Sequence, residues 1–190
     1  MNQLKIGCVV MASGLSSRFG RNKLLESWEG KSLIDRALEA VPCEKLHRVV
    51  VVTRFPEIQI LAERKRFDCV WNDRPEDGIS RTISLGLQQL HDSDATLFMV
   101  CDQPRLTRGY VSAMLDFYRG HPENIVCMSF GGERGNPCVF PSAFFPELLA
   151  LRGDTGGSAV IQQHEPLLLR FEVSNASELI DVDHPGDLLM

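Results

Sequence analysis

The sequence predicts an α/β fold, a three-layer, Rossmann-like arrangement in which helices cover both faces of a mainly parallel sheet. Short apolar runs alternate with helix-length amphipathic segments from residue 5 to about residue 130, the order that builds strand–helix–strand units. The early runs Ile6-Gly7-Cys8-Val9-Val10-Met11 and Val49-Val50-Val51-Val52 are continuously apolar rather than alternating, as strands covered on both faces are. A glycine- and serine-rich stretch, Ser13 to Gly20, follows the first run directly, and open α/β sheets place ligands at the carboxyl ends of their strands.

The elements follow in order. Ser32 is placed to cap a helix over Leu33 to Ala40 that Pro42 stops. After the strand at Val49–Val52, Pro56 opens a short helix through Leu61 and Ala62. Phe67-Asp68-Cys69-Val70-Trp71 reads as a third strand, and Ile79 to Leu90 as a helix with Ile83, Leu87 and Leu90 on one face. Ala95 to Cys101 is a fourth strand, a helix runs from about Thr107 to Tyr118, and Asn124 to Ser129 is a fifth strand. The last third changes character. Gly131-Gly132-Glu133-Arg134-Gly135 reads as a turn into an antiparallel excursion at Pro137–Phe140, followed by helices near 143–151 and 155–163 and a strand at Leu167-Leu168-Leu169.

Composition narrows the class further. With 190 residues, 44% of them apolar and 24% charged, the expectation is one globular domain spanning 1–190. Such a chain buries about 70% of its unfolded surface and needs neither metal nor disulfide to hold a core. A net charge of −5 gives no electrostatic footprint for nucleic acid or an anionic membrane. No run approaches the ~20 apolar residues of a membrane span, and the start lacks the features of a signal peptide, so cytoplasm is the expected location. Six cysteines show no C-x-x-C pair. Cys8, Cys69, Cys101 and Cys127 lie in strand-like runs, where buried, reduced thiols are expected. Five scattered histidines give no zinc spacing. Trp28 and Trp71 read as core or rim packing residues rather than base-stacking ones, and Arg64-Lys65-Arg66 as a solvated helix end.

The loop Ala12-Ser13-Gly14-Leu15-Ser16-Ser17-Arg18-Phe19-Gly20-Arg21-Asn22-Lys23 carries the most chemistry. Its small residues let backbone N–H groups approach phosphate oxygens, and Arg18 and Lys23 bring two positive charges. The pattern is neither G-x-G-x-x-G nor G-x-x-x-x-G-K-[ST], which disfavours a dinucleotide fold and a P-loop. The plainer alternative is a surface turn with two solvated cations. Asp102 follows a strand that Pro104 ends, which leaves its carboxylate at the sheet's rim, either for a cation or as a turn residue accepting backbone N–H bonds.

This loop resembles the G-x-S-x-R-[MF]-G-x-x-K opening of nucleotidyltransferases of the molybdenum cofactor cytidylyltransferase type, relatives of the nucleotide-diphospho-sugar transferases. The resemblance continues in order through Asn72, Gly78 to Gly86, Cys101 to Pro104, Arg134 to Pro137, Gly153 to Gly157 and Asp181 to Asp187. It implies a nucleotidyltransferase that moves CMP from CTP to the phosphate of a molybdopterin-type cofactor and releases pyrophosphate, with Mg2+ as the metal. The nucleotide site it implies comprises Ala12, Ser13, Gly14, Ser16, Arg18, Lys23, Asn72, Gly78, Ser80 and Asp102. Arg18, Lys23 and Asp102 are the implied catalytic residues, and Arg134, Gly135, Asn136 and Asp154 the implied acceptor site. The implied metal ligands are Asp102 and Asp183. Asp181 and Asp183 alternate as strand neighbours would, so that both point to one face. Capping the turn at Pro185 is an equally good reading of Asp183.

Two departures matter. Where the cytidylyltransferases commonly read Ala-Ala-Gly and the guanylyltransferases Ala-Gly-Gly, this chain has Ala12-Ser13-Gly14, and a Cβ at residue 13 crowds a purine more than a pyrimidine. The family's Gly-Ala-Arg is replaced by Gly156-Gly157-Ser158, which removes one expected cation. The alternatives are a guanylyltransferase on the same cofactor, a cytidylyltransferase on a sugar or polyol phosphate, or a non-catalytic carrier of the cofactor. An apo molybdenum enzyme is a possible recipient in each cofactor reading.

Overall fold

The computed structural model describes residues 4–14, 19–20 and 22–189, the side chain of Leu189 excepted. Its strands and helices are, in chain order, β1 (Ile6–Ala12), β2 (Ser27–Trp28), β3 (Lys31–Ser32), α1 (Leu33–Glu39), β4 (Arg48–Thr53), α2 (Pro56–Arg64), β5 (Asp68–Trp71) and α3 (Ile79–Gln89). The chain continues through β6 (Ala95–Val100), α4 (Arg108–Arg119), β7 (Ile125–Phe130), β8 (Glu133–Pro141), α5 (Phe145–Ala150), α6 (Ser158–Gln163) and β9 (Leu168–Glu172). Seven strands form one sheet in the order β5-β4-β1-β6-β8-β7-β9, while β2 and β3 pair as a separate small hairpin. Strands β5, β4, β1 and β6 are parallel, β8 runs antiparallel to both its neighbours, and β9 pairs parallel with β7.

Alternation along each strand divides the core into two layers. Cys8, Val10 and Ala12 of β1 face α1, α2 and α4 through Ile34, Leu38, Ile58, Val111, Met114 and Leu115, while Val9 faces α3, α5 and α6 through Ile83, Leu87, Leu148, Val160 and Ile161. The three-layer α/β architecture expected from the sequence is therefore present. Close approach of α3 to β1 depends on Gly86, since a Cβ there would lie 2.5 Å from a Val9 methyl. Ser32 caps α1 as expected, its hydroxyl accepting from Asp35 N at 3.1 Å.

The structure departs from the expected elements in four places. The β2–β3 hairpin has only two residues per strand, too short for a periodic signal. Strand β8 starts at Glu133, four residues before the excursion expected at Pro137, so the turn is confined to Gly131 and Gly132. Strand β9 extends to Glu172. Asp181 and Asp183 are not strand neighbours, because residues 181–183 have no regular structure. Trp71 lies half exposed at the rim, on edge strand β5, whereas Trp28 is buried with Phe19, Leu33 and Val182.

Strand order fixes where a ligand fits. From β1 the chain moves outward to β4 and β5, then returns to place β6 on the other side of β1. The crevice beyond the carboxyl ends of β1 and β6 is thus the topological switch point, where open α/β sheets bind ligands. Ala12-Ser13-Gly14 leaves β1 there, and Cys101-Asp102 leaves β6 beside it.

Candidate active site

A cleft of about 400 Å³ opens at this switch point, lined by Ser13, Gly14, Lys23, Gly78, Asp102, Asp154 and Asp183 among others. Lys23 is set by a single turn of 3-10 helix, Lys23–Leu25, which Asn22 caps by accepting from Leu24 N at 3.1 Å. Its ammonium donates to Asp102 Oδ2 at 2.8 Å and to the Val182 carbonyl at 2.9 Å, and it lies 3.7 Å from Asp183 Oδ1. The other Asp102 oxygen, Oδ1, is buried with no hydrogen-bond partner among the described residues. An uncompensated buried carboxylate oxygen is costly and marks a place for a further cation or donor.

The segment from 174 to 188 brings Asp183 to the cleft. Val182 N donates to the Asp102 carbonyl at 2.8 Å, Gln103 Nε2 to the Leu179 carbonyl at 3.4 Å, and Thr107 N to Glu178 Oε2 at 2.9 Å. Asp187, not Asp183, performs the capping. It accepts from the N–H groups of Asp183 and His184 at 2.8 and 2.7 Å, which leaves the Asp183 carboxylate to face Lys23. Asp181 is hemmed in beside them despite an exposed edge. Loss of solvent pushes its carboxyl up to about 6, and the charges of Asp102 and Asp183 add to the shift, against a hydrogen bond from Gln103 and the charge of Lys23. Among the described residues no three His, Cys, Asp or Glu side chains group to hold a metal unaided.

The opposite wall is built around Gly78, at the amino end of α3, with φ +80°. A Cβ there would lie 2.5 Å from the Gly153 carbonyl oxygen and overlap its carbon, so only glycine permits this contact. Ser80 N donates to that same oxygen at 3.1 Å, which pins the Gly153–Asp154 turn to the helix. Asn72, 1% exposed, lies under the wall and donates to Ser13 Oγ at 2.8 Å. A second recess, of about 290 Å³, shares Met11, Ile79 and Val100 with the cleft and is lined also by Ile83, Phe98, Phe140, Ile161, Arg134, Gly135 and Asn136.

Structure thus brings together Ser13, Gly14, Lys23, Gly78, Asp102, Asp154 and Asp183, with Ala12 at the end of β1 and Asn72 behind Ser13. Arg134, Gly135 and Asn136 line the adjoining recess, whereas Asp154 lines the cleft itself, on the Gly78 wall. Ser80 faces a neighbouring surface groove with Arg74, Arg81 and Arg152. Ser16 and Arg18 lie outside the described residues. Sequence reasoning missed Phe19, Thr82 and Met11 as lining residues. Thr82 could have been found, since it lies four positions after Gly78 on a helix that starts at the cleft.

A switch-point cleft lined by a lysine–aspartate pair, with a second recess beside it, is the architecture of an α/β protein that binds its ligand at the carboxyl ends of its strands. The chain belongs to the family of MobA-like NTP transferase domains, nucleotidyltransferases whose shared pattern matches residues 8–167. Among relatives, it is 25% identical over 191 residues to the purine catabolism protein PucB of Bacillus subtilis, covering 94% of this chain and 92% of that one. It is 32% identical over 111 residues to a probable molybdenum cofactor guanylyltransferase of Bacillus cereus, a stretch that spans 57% of this chain and 54% of that protein. The fold is shared with Rv0371c of Mycobacterium tuberculosis, at a TM-score of 0.81 and 20% identity over 98% of this chain and 96% of the other.

Proposed function

We propose that this protein transfers CMP from CTP to the terminal phosphate of a molybdopterin-type cofactor, with release of pyrophosphate. The observation that carries this reading is the Lys23–Asp102 pair at the switch point, with a recess for an acceptor opening from the same cleft. The relative named for guanylyl transfer to molybdenum cofactor supports the acceptor class. Ser13, where a glycine would leave more room, supports a pyrimidine.

Two anions meet in such a transfer, so the chain's work is neutralising charge and aligning the groups. Lys23, already held among three oxygens, meets the triphosphate and balances the charge that develops on departing pyrophosphate. Arg134, which lines the recess, holds the acceptor phosphate, while the apolar walls that include Ile83 and Phe140 hold a flat ring system and exclude water. Asp102 Oδ1, which has no partner among the described residues, fits a divalent cation, with Asp183 as the second carboxylate. One or two carboxylates suffice for Mg2+, which would supply charge neutralisation on the phosphate oxygens.

Purified protein given Mg2+, cofactor and each nucleoside triphosphate in turn should release pyrophosphate fastest with CTP. Asp102→Asn should lower turnover by about 10²–10³ while the melting temperature stays near that of the parent. Unchanged turnover in that variant overturns the mechanism, and pyrophosphate release with a different acceptor but not with the cofactor overturns the substrate. The name of the Bacillus cereus relative favours GTP as a second reading, and the same nucleotide panel separates the two.

A further inference from the structure

The direction of the Asn72 amide is settled by the backbone. Its Oδ1 accepts from Arg74 N at 3.1 Å, and a backbone N–H can only donate, so the other end of the amide is the NH2. That NH2 donates to Ser13 Oγ at 2.8 Å and reaches Thr82 Oγ1 at 3.5 Å. Both hydroxyls line the cleft, and Ser13 is only 3% exposed. A hydroxyl that accepts from an amide still has one hydrogen to give, and among the described residues nothing accepts the Ser13 hydrogen.

We propose that Ser13 reads the nucleotide base as a hydrogen-bond donor, its polarity set by Asn72, with Thr82 as a second donor beside it. The inference rests on the nucleotidyltransferase reading above and specifies the chemistry of the base that reading requires. Asn72 is then a positioning residue: with its oxygen on Arg74 N and its NH2 on the two hydroxyls, it acts on the base through Ser13. Two neighbouring donors suit a base edge with two adjacent acceptors. Cytosine offers O2 and N3, and guanine offers O6 and N7. Uracil interposes its N3–H between two carbonyls, and adenine has no adjacent acceptor pair. CTP and UTP are nearly identical in shape, so a preference between them reports hydrogen-bond polarity rather than room.

The test is nucleotide affinity, measured by calorimetry with Mg2+ for CTP, UTP, GTP and 7-deaza-GTP, which lacks the N7 acceptor. The parent protein should prefer CTP to UTP, or GTP to 7-deaza-GTP, by about tenfold, and the pair that shows the preference identifies the base. Ser13→Ala should abolish that ratio while triphosphate affinity is otherwise retained. Asn72→Asp replaces the donor by a carboxylate that takes the Ser13 hydrogen, so Ser13 turns a lone pair to the cleft and the CTP-to-UTP ratio should fall below that of Ser13→Ala. A merely structural role for Asn72 would weaken every nucleotide alike. An unchanged ratio in Ser13→Ala overturns the inference and leaves the proposed function standing. Failure of the parent protein to bind any of the four nucleotides overturns the proposed function and the inference with it.

Discussion

Lys23 has Asp102 at 2.8 Å, Asp183 at 3.7 Å and the Val182 carbonyl at 2.9 Å, so one ammonium serves two carboxylates and a peptide dipole. Asp181 lies close by, and burial, with the charges of Asp102 and Asp183 adding to it, pushes its carboxyl up to about 6. The consequence for stability follows from proton linkage. Between about pH 4, where an unfolded aspartate titrates, and pH 6, the folded chain holds a proton on Asp181 that the unfolded chain has lost. Stability from this group is therefore present at low pH and is lost as pH rises through 6. Asp181→Asn, which cannot ionise, should melt higher than the parent at pH 7.5, by up to about 1 kcal/mol since water reaches one side of the group. At pH 4 the difference should vanish, and melting curves at the two pH values check it.

At the scale of elements, the cleft depends on the junction of α3 with the turn at Gly153. Gly78 combines φ +80° with a contact that leaves no space for a methyl group, and the Ser80 N–H bond to Gly153 holds the same two segments together. Gly78→Ala should therefore cost about 2–4 kcal/mol from strain and overlap combined, read from denaturant unfolding, and should weaken nucleotide binding as the wall shifts. This junction also shows what sequence can and cannot reveal. Strands β1, β4 and β6 were legible because parallel strands covered on both faces are continuously apolar, and α1 was legible from Ser32 and its apolar face. The loop after β1 and Asp102 after β6 were legible as rim positions because strand ends are marked by small residues and proline. The closeness of Gly78 to Gly153 was not, since no local pattern reports a contact across 75 positions of chain. Nor was the path of residues 181–183, whose alternating aspartates imitate a strand although backbone bonds to Asp102 and Asp187 fix them instead.

At the scale of the molecule, the site is assembled from the two ends of the chain around the centre of the sheet. Strand order alone brings the loops after β1 and β6 side by side, but the third wall comes from the segment beyond β9, which runs back over the β6–α4 connection. That segment ties into the β2–β3 hairpin through Val182, buried with Phe19, Trp28 and Leu33, and into the adjoining recess through Leu179, which packs against Gly135 near the start of β8. It contributes no strand to the seven-stranded sheet. Removing residues 175–190 should accordingly leave the secondary structure nearly intact by far-ultraviolet circular dichroism, because every described β-strand and α-helix ends before residue 175 and only the short 3-10 helices at Ala176–Leu179 and Pro185–Leu189 are lost. The same deletion takes away Asp183 and the Val182 carbonyl from Lys23, uncovers Trp28 and removes Leu179 from against Gly135 in β8. Triphosphate affinity should drop by at least tenfold and nucleotidyl transfer should be lost. A truncated chain that keeps its circular dichroism and still binds CTP as tightly as the full chain would show that the β1 and β6 loops hold the nucleotide without the returning segment.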